Sequence, residues 1–107
     1  MDVDIATLKK QIIDSLGDMG ISFESIILFG SRARGDYNED SDYDILIVTE
    51  ETFPFRKKIE ISEAIRDQIV KLHIPSDILI RSRLEIEHFR NSIGSVISEA
   101  VQEGIVL

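Results

Sequence analysis

Apolar residues along this chain follow two patterns, one typical of helices and one typical of strands, and segments of the two kinds take turns along the sequence. Segments with an apolar residue at every third or fourth position predict amphipathic helices. Pro54 fits the first turn of the second helix, which is expected to carry Phe55 and Ile59 on its apolar side, and Gly104 ends the third. The predicted helices cover residues 3–16, 55–72 and 83–103, the last with an interruption near 91–94.

Three short runs rich in isoleucine, leucine and valine lie between these helices and predict buried strands. They cover residues 24–29, 44–48 and 76–80. Between the first two strands, residues 31–40 form a turn-rich segment with room for one helical turn. The order α-β-turn-β-α-β-α predicts a small α/β layer fold, in which helices cover a short sheet. With no linker or repeat, residues 1–107 are expected to form a single domain.

Composition and charge narrow the classes of function. The 107 residues include no cysteine, which excludes disulfides, thiolate zinc sites and a thiol nucleophile. A net charge of -8 argues against direct binding of nucleic acid, but it permits metal cations and a basic protein partner. No apolar stretch approaches the roughly 20 residues needed to span a bilayer, and the N-terminus lacks the features of a signal peptide. We therefore expect a cytoplasmic protein that does not bind membranes.

The acidic stretch around residues 36–44 has a simple interpretation as a solvated loop, and two specific alternatives fail. Asp36, Asn38 and Asp40 match the first positions of an EF-hand loop. The required glycine is replaced by Ser41, however, and the required glutamate by Ile47. The glycine spacing of a P-loop is present, but the lysine that should follow it is missing.

Asp42 and Asp44 lie two residues apart at the start of a predicted strand, so both are expected to project from the same face. Adjacent carboxylates repel each other unless a cation neutralises them. Magnesium is the natural occupant, because it takes carboxylate and phosphate oxygens together. Asp77 opens the third strand and would complete a site for two ions.

Gly30 and Ser31 are expected to supply the phosphate-binding half of the same site. A strand that ends in glycine lets the backbone approach a phosphate closely, and the Ser31 hydroxyl would face a triphosphate. Arg32 and Arg34 would add positive charge there. Both arginines are also compatible with a solvated surface position.

Gly30-Ser31, ten further residues and Asp42-Tyr43-Asp44 resemble the GSx10DxD signature of the minimal nucleotidyltransferases. These form the MNT branch of the DNA polymerase beta-like nucleotidyltransferase superfamily. The order of helices and strands agrees over nearly the whole chain. The resemblance implies a nucleotidyltransferase fold with a small mixed β-sheet. It also implies that Asp42, Asp44 and Asp77 are catalytic ligands of magnesium, and that Gly30 and Ser31 bind the nucleotide.

The resemblance also implies a partner. Similar MntA-type antitoxins transfer AMP from ATP to a tyrosine of a HEPN-type ribonuclease toxin, in type VII-like toxin–antitoxin pairs. The acceptor is expected as a separate chain, which is compatible with a hetero-oligomer. Two alternatives stay open: an antitoxin that acts mainly by complex formation, and a nucleotidyltransferase with a small-molecule acceptor.

Other polar and aromatic residues are expected to be structural. His73 is expected at a helix end and Glu85 on a solvated helix face. The phenylalanines, Phe55 and Phe89 among them, are expected in the core, and Tyr37 is expected to be exposed.

Overall fold

The computed structural model describes residues 3–89 and 96–107 of the chain. Helices and strands follow the predicted order, and a short fourth strand comes last. The helices are α1 (Val3–Asp18), α2 (Ser31–Arg34), α3 (Phe55–Val70), α4 (Arg83–Phe89) and α5 (Val96–Glu103). The strands are β1 (Phe23–Phe29), β2 (Tyr43–Thr49), β3 (Ser76–Ser82) and β4 (Ile105–Val106). Within the described ranges, no helix has the length and apolar character needed to cross a bilayer.

The four strands form one mixed sheet in the order β3-β2-β1-β4. Strand β1 is antiparallel to β2 and to β4, whereas β2 and β3 are parallel. Parallel neighbours require a crossover connection, and α3 supplies it. The predicted α/β (α+β) class, with a small mixed sheet covered by helices, is therefore confirmed.

Each face of the sheet has its own apolar cluster. The larger cluster joins α1 and α3 to the face that carries Ile45, Ile47 and Ile78. The smaller one places Ala100 of α5 against the opposite face. Because β2 is covered on both sides, it is a continuous apolar run rather than an alternating one.

The end of the chain differs from the prediction. The predicted helix over 83–103 is described as α4 and α5, and its expected interruption near 91–94 lies outside the described residues. The apolar tail forms β4, which pairs with Ile27 and Leu28 of β1. A side chain at Gly104 would collide with the Ala100 carbonyl and with Ile27, so glycine allows the chain to turn from α5 directly onto the sheet.

The prediction that Phe55 and Ile59 lie on the buried side of α3 is wrong. Phe55 is 77% exposed and Ile59 is 40% exposed, whereas Ile61, Ile65 and Ile69 form the buried stripe. At 3.6 residues per turn, Phe55 lies about 240° around the helix from Ile61. Two apolar residues therefore project into solvent at the start of α3. Phe89, also expected in the core, is 40% exposed.

Glu85 is not on a solvated face as predicted. The Ser82 N–H donates to its carboxylate at 2.9 Å, and the Glu85 N–H donates to the Ser82 hydroxyl at 3.2 Å. These reciprocal bonds form a capping box at the start of α4. Lys58 of α3 also forms an ion pair with Glu85. Burial opposes ionisation, but the hydrogen bonds from Lys58 and Ser82 prevail and lower the pKa of Glu85. His73, by contrast, follows α3 with a φ of 58°, at a helix end as predicted.

Candidate active site

Gly30 connects β1 to α2, and it lies directly against Asp44. Its φ of 74° and ψ of -156° belong to a region reserved almost entirely for glycine. A Cβ at this position would lie 3.1 Å from Cγ of Asp44 and still closer to one carboxylate oxygen. Only glycine therefore permits the turn and leaves room for the carboxylate. The structure brings the Gly30-Ser31 turn and the Asp-x-Asp strand into contact.

Asp44 and Asp77 are cross-strand neighbours. They pair in register on the parallel strands β2 and β3, which places their backbones about 4.8 Å apart. Both project towards the face covered by α5, together with Leu46 and Leu79. The backbones of Asp44 and Asp77 are therefore close together, as predicted.

Several negatively charged side chains lie near the half-buried Asp44 carboxyl. Its pKa is raised first by burial and then by repulsion from Asp77, Asp42 and Glu99. Arg34 partly offsets this effect. Negative charge from Asp77, Asp42 and Glu99 therefore acts on the Asp44 carboxyl, and a bound cation would relieve this repulsion.

The carboxylates do not converge on a single point. Asp77 is exposed, and its carboxylate pairs with Arg66 of α3 at 3.1 Å. Asp42 is also exposed, just before β2. It lies beside residues of α3, whereas Asp44 lies on the α5 side, so the prediction that both project from the same face is wrong; Asp42 precedes the strand and does not follow its alternation. Over residues 3–89 and 96–107, no group of three acidic or histidine side chains is arranged to hold a metal. The donor type nevertheless fits a hard divalent cation, since aspartate oxygens are its preferred ligands and its charge would relieve the repulsion at Asp44.

A cavity of ≈ 630 Å³ opens beside these groups on the α5 side of the sheet. We call it the Asp44 cavity. Its polar rim includes Ser31, Arg34, Asp44 and Asp77, and its apolar walls are Phe29, Leu79, Val96 and Ile97. This volume lies within the range of pockets that hold small organic ligands.

Arg34 is the α2 cation that lines the cavity. Its guanidinium pairs with Glu99 at 3.0 Å and Glu103 at 3.4 Å on α5, and with Asp36 at 3.2 Å. The hydrogen bond that Arg34 donates to Asp36 is the largest factor that raises the pKa of Arg34, so the guanidinium stays charged. Arg34 therefore ties α2 to the helix that forms the opposite wall.

Arg32 has a different position. Its guanidinium lies 4.5 Å from the centre of the Tyr37 ring and 4.1 Å from that of Tyr43. It also donates to the backbone carbonyl of Ser41 at 3.1 Å and, at longer range, to two other carbonyls within residues 38–41. The structure places Arg32 against the loop that leads into Asp42, and not among the side chains that line the cavity.

Arg81 and Glu99 also line the cavity and were not identified from the sequence. Arg81 could have been found, because Asp77, Leu79 and Arg81 alternate along β3 and share one face. Glu99 reaches the cavity only through the packing of α5 on the sheet, and no local pattern indicates it.

Comparisons with known proteins identify the domain family of this chain. The family model described as "Nucleotidyltransferase domain" matches residues 9–107. A curated relative from Methanocaldococcus jannaschii, named "Putative protein adenylyltransferase", is 44% identical over 57 residues, which cover 53% of this chain and 54% of the relative. A second curated relative from the same organism has the same description, and 59% of its length is matched. The chain thus spans little more than half the length of these relatives.

Two solved structures share the fold. One, described as a minimal nucleotidyltransferase, has a TM-score of 0.58 and 25% identity, covering 100% of this chain and 97% of its own. The other is described as a toxin–antitoxin with AMP-PNP and has a TM-score of 0.59 and 21% identity. The match covers 91% of this chain and 69% of the other. Since the family model matches residues 9–107, nearly the whole chain, this chain belongs to the nucleotidyltransferase domain family.

Proposed function

We propose that this protein transfers AMP from ATP to a hydroxyl group of a partner protein, with release of pyrophosphate. The contact between Gly30 and the carboxylate of Asp44 carries this proposal. It supports the proposal because the Gly30-Ser31 turn and the aspartates Asp44 and Asp77 line the same ligand-sized cavity. The curated relatives described as protein adenylyltransferases support transfer to a protein.

The triphosphate would lie along the polar rim of the Asp44 cavity. Gly30 lets the backbone approach the phosphates, the Ser31 hydroxyl donates to them, and Arg34 neutralises their charge. The apolar walls formed by Phe29 and Leu79 would take the base and ribose. Of the two arginines in α2, we assign the phosphate role to Arg34, because Arg32 is engaged with the loop before Asp42.

Asp42, Asp44 and Asp77 would hold magnesium, and we propose two ions. Bound magnesium would neutralise the charge on the phosphates and on the leaving pyrophosphate. Asp77 is more exposed than its cross-strand neighbour Asp44. Once its ion pair with Arg66 opens, the Asp77 carboxylate would accept the proton of the acceptor hydroxyl. The acceptor oxygen then bonds to the α-phosphorus while the bond to the β-phosphate oxygen breaks. Pyrophosphate leaves with that electron pair, so the reaction needs no further reactant.

We propose that the acceptor is a tyrosine of a HEPN-type ribonuclease toxin, and that the protein is the antitoxin of a type VII-like pair in the cytoplasm. The fold is shared with a protein described as a toxin–antitoxin with AMP-PNP. The net charge of -8 complements a basic RNA-binding partner.

A second candidate function is neutralisation by complex formation without catalysis. The ion pairs of the site favour it, because Asp77 is paired with Arg66 and Arg34 with Glu99. In this arrangement two proposed catalytic groups are already neutralised by the protein itself. Catalysis would then require that these pairs open.

The test compares AMP transfer with toxin neutralisation. The protein is incubated with magnesium, α-phosphate-labelled ATP and the toxin, and the Asp42→Asn/Asp44→Asn double variant is run beside it. Asp40→Asn is the matched control, since it removes a charge from the same acidic stretch outside the cavity. If the double variant loses both labelling and neutralisation while Asp40→Asn keeps them, the result supports the enzymatic function. Neutralisation that survives without labelling supports the binding function.

A further inference from the structure

A second, smaller pocket of ≈ 210 Å³ lies beside Asp42, where α3 ends and β3 begins. We call it the Asp42 pocket. Its walls are apolar and are formed by Ile69, Val70, Ile74 and Pro75. Its polar end is formed by Asp42 and Arg66. No function described above uses it.

The Asp42 pocket and the Asp44 cavity lie on either side of one edge of the sheet. The pocket is on the α3 side, whereas the cavity is on the α5 side. Asp42 lines the pocket, and Asp44, two residues later, lines the cavity. Tyr43, between them, donates its N–H to the Pro75 carbonyl at 2.9 Å. That bond fixes Asp42 next to the pocket. The ion pair between Arg66 and Asp77 connects the two sites.

In-line displacement at phosphorus requires that the attacking and leaving oxygens lie on opposite sides of the reacting atom. If the triphosphate occupies the rim formed by Ser31 and Arg34, the leaving pyrophosphate lies on the cavity side. The attacking hydroxyl then approaches from the opposite side, which we take to be the side of Asp42 and of Arg66, the ion-pair partner of Asp77. The Asp42 pocket is the concave surface at that position.

We infer that the Asp42 pocket receives the aromatic side chain of an acceptor tyrosine, with its hydroxyl directed towards Asp42 and Asp77. This inference rests on the proposed AMP transfer. The apolar walls match an aromatic ring, and the polar end matches a phenolic hydroxyl. A serine or threonine side chain would leave the apolar walls without contacts. Arg66 would stand beside the hydroxyl, where its charge favours the phenolate.

Val70 is the residue with which to test the pocket, because it lies on the rim and is 63% exposed, so that Val70→Glu should not disturb the core. Phe55→Glu is the matched control. It places the same charge on another exposed apolar residue, at the opposite end of α3. N-acetyl-tyrosinamide serves as the acceptor, with magnesium and labelled ATP. We expect Val70→Glu to raise the KM for this acceptor about tenfold, and the KM for ATP to change by less than about twofold. An unchanged acceptor KM, or the same rise in Phe55→Glu, would overturn the inference.

A binding measurement separates this inference from the proposed function. N-acetyl-tyrosinamide is titrated into the methyl-labelled protein without nucleotide, and methyl shifts are followed by NMR. Shifts concentrated at Ile69, Val70 and Ile74 support the pocket, even if no AMP transfer is detected with any acceptor. Shifts centred on Ile97 in the cavity, or no shifts at all, would overturn the pocket even if AMP transfer occurs. N-acetyl-serinamide should give markedly smaller shifts.

Discussion

Replacing Gly30 by alanine should damage both the turn and the carboxylate beside it. Alanine would be forced into φ 74° and ψ -156°, a conformation that costs about 1–3 kcal/mol for a residue with a Cβ. The new methyl group would also collide with Asp44, so the carboxylate must move. We expect the free energy of unfolding to fall by about 1–3 kcal/mol. For a domain of this size, each kcal/mol lowers Tm by roughly 4–8 °C.

Gly35→Ala provides the control, because it separates backbone strain from displacement of Asp44. Gly35 also has a positive φ, 87°, but an added Cβ would meet nothing within 4 Å. Alanine there should cost about 1–2 kcal/mol through the left-handed backbone alone. Both variants should therefore lose stability in urea denaturation. Only Gly30→Ala should also lose magnesium-dependent binding of AMP-PNP, by about tenfold or more in calorimetry. Equal AMP-PNP affinity in the two variants would refute the reasoning.

Three further predictions follow from the ion pairs and hydrogen bonds. Glu85→Gln should reduce the free energy of unfolding by about 1 kcal/mol near pH 7, since it removes a charged capping box partner and an ion pair. Because folding lowers the pKa of Glu85 from its usual value of 4.5, this difference should start to shrink as the pH approaches 4.5 and be lost as the pH falls through the lowered pKa of the folded state. Arg32→Lys should cost about 1–2 kcal/mol and increase proteolysis within residues 38–41, because lysine cannot reproduce the forked hydrogen bonds. Arg34→Gln should weaken AMP-PNP binding about tenfold, whereas Glu99→Gln should strengthen it by releasing Arg34 and reducing repulsion at Asp44.

Each of these predictions has a result that would contradict it. Glu63→Gln is the control for Glu85, because Glu63 is an exposed residue of α3. A stability difference at Glu85 that stays undiminished at a pH well below the folded-state pKa, where the carboxyl is protonated in both states, would exclude the charged capping box. Arg56→Lys, on the exposed start of α3, should leave proteolysis of the loop unchanged. If Glu99→Gln and Arg34→Gln both weaken AMP-PNP binding, the pair does not compete with the nucleotide.

The sheet and the main contact of the site could be predicted because local patterns specify them. Residues 45–48, directly after Asp44, are apolar throughout, which indicates a strand covered on both faces, and Asp77 precedes a run of the same kind. Once two such strands are parallel neighbours, their first residues lie side by side. Gly30 ends a strand immediately before Ser31, so its turn could also be anticipated.

Features that depend on how distant segments pack could not be predicted. Arg32 and Arg34 are two residues apart in the same short helix, yet Arg32 contacts the loop that follows and Arg34 contacts α5. Their surroundings in sequence are too similar to assign them different roles. The same holds for β4, since two apolar residues carry no periodicity. The capping role of Glu85 was visible in principle, because Ser82-x-x-Glu85 is a capping box sequence.

The two unequal apolar clusters divide the molecule into a part that sets global stability and a part that can open on its own. Helix α5 is held to the sheet by the smaller cluster, by exposed ion pairs to Arg34 and by the two-residue strand β4. Local openings of low free energy are typical of such weakly anchored segments. In native-state hydrogen exchange, the amides of α5 should therefore exchange well before those of β2. Such an opening would move one wall of the Asp44 cavity without disturbing the strands that carry Asp44 and Asp77.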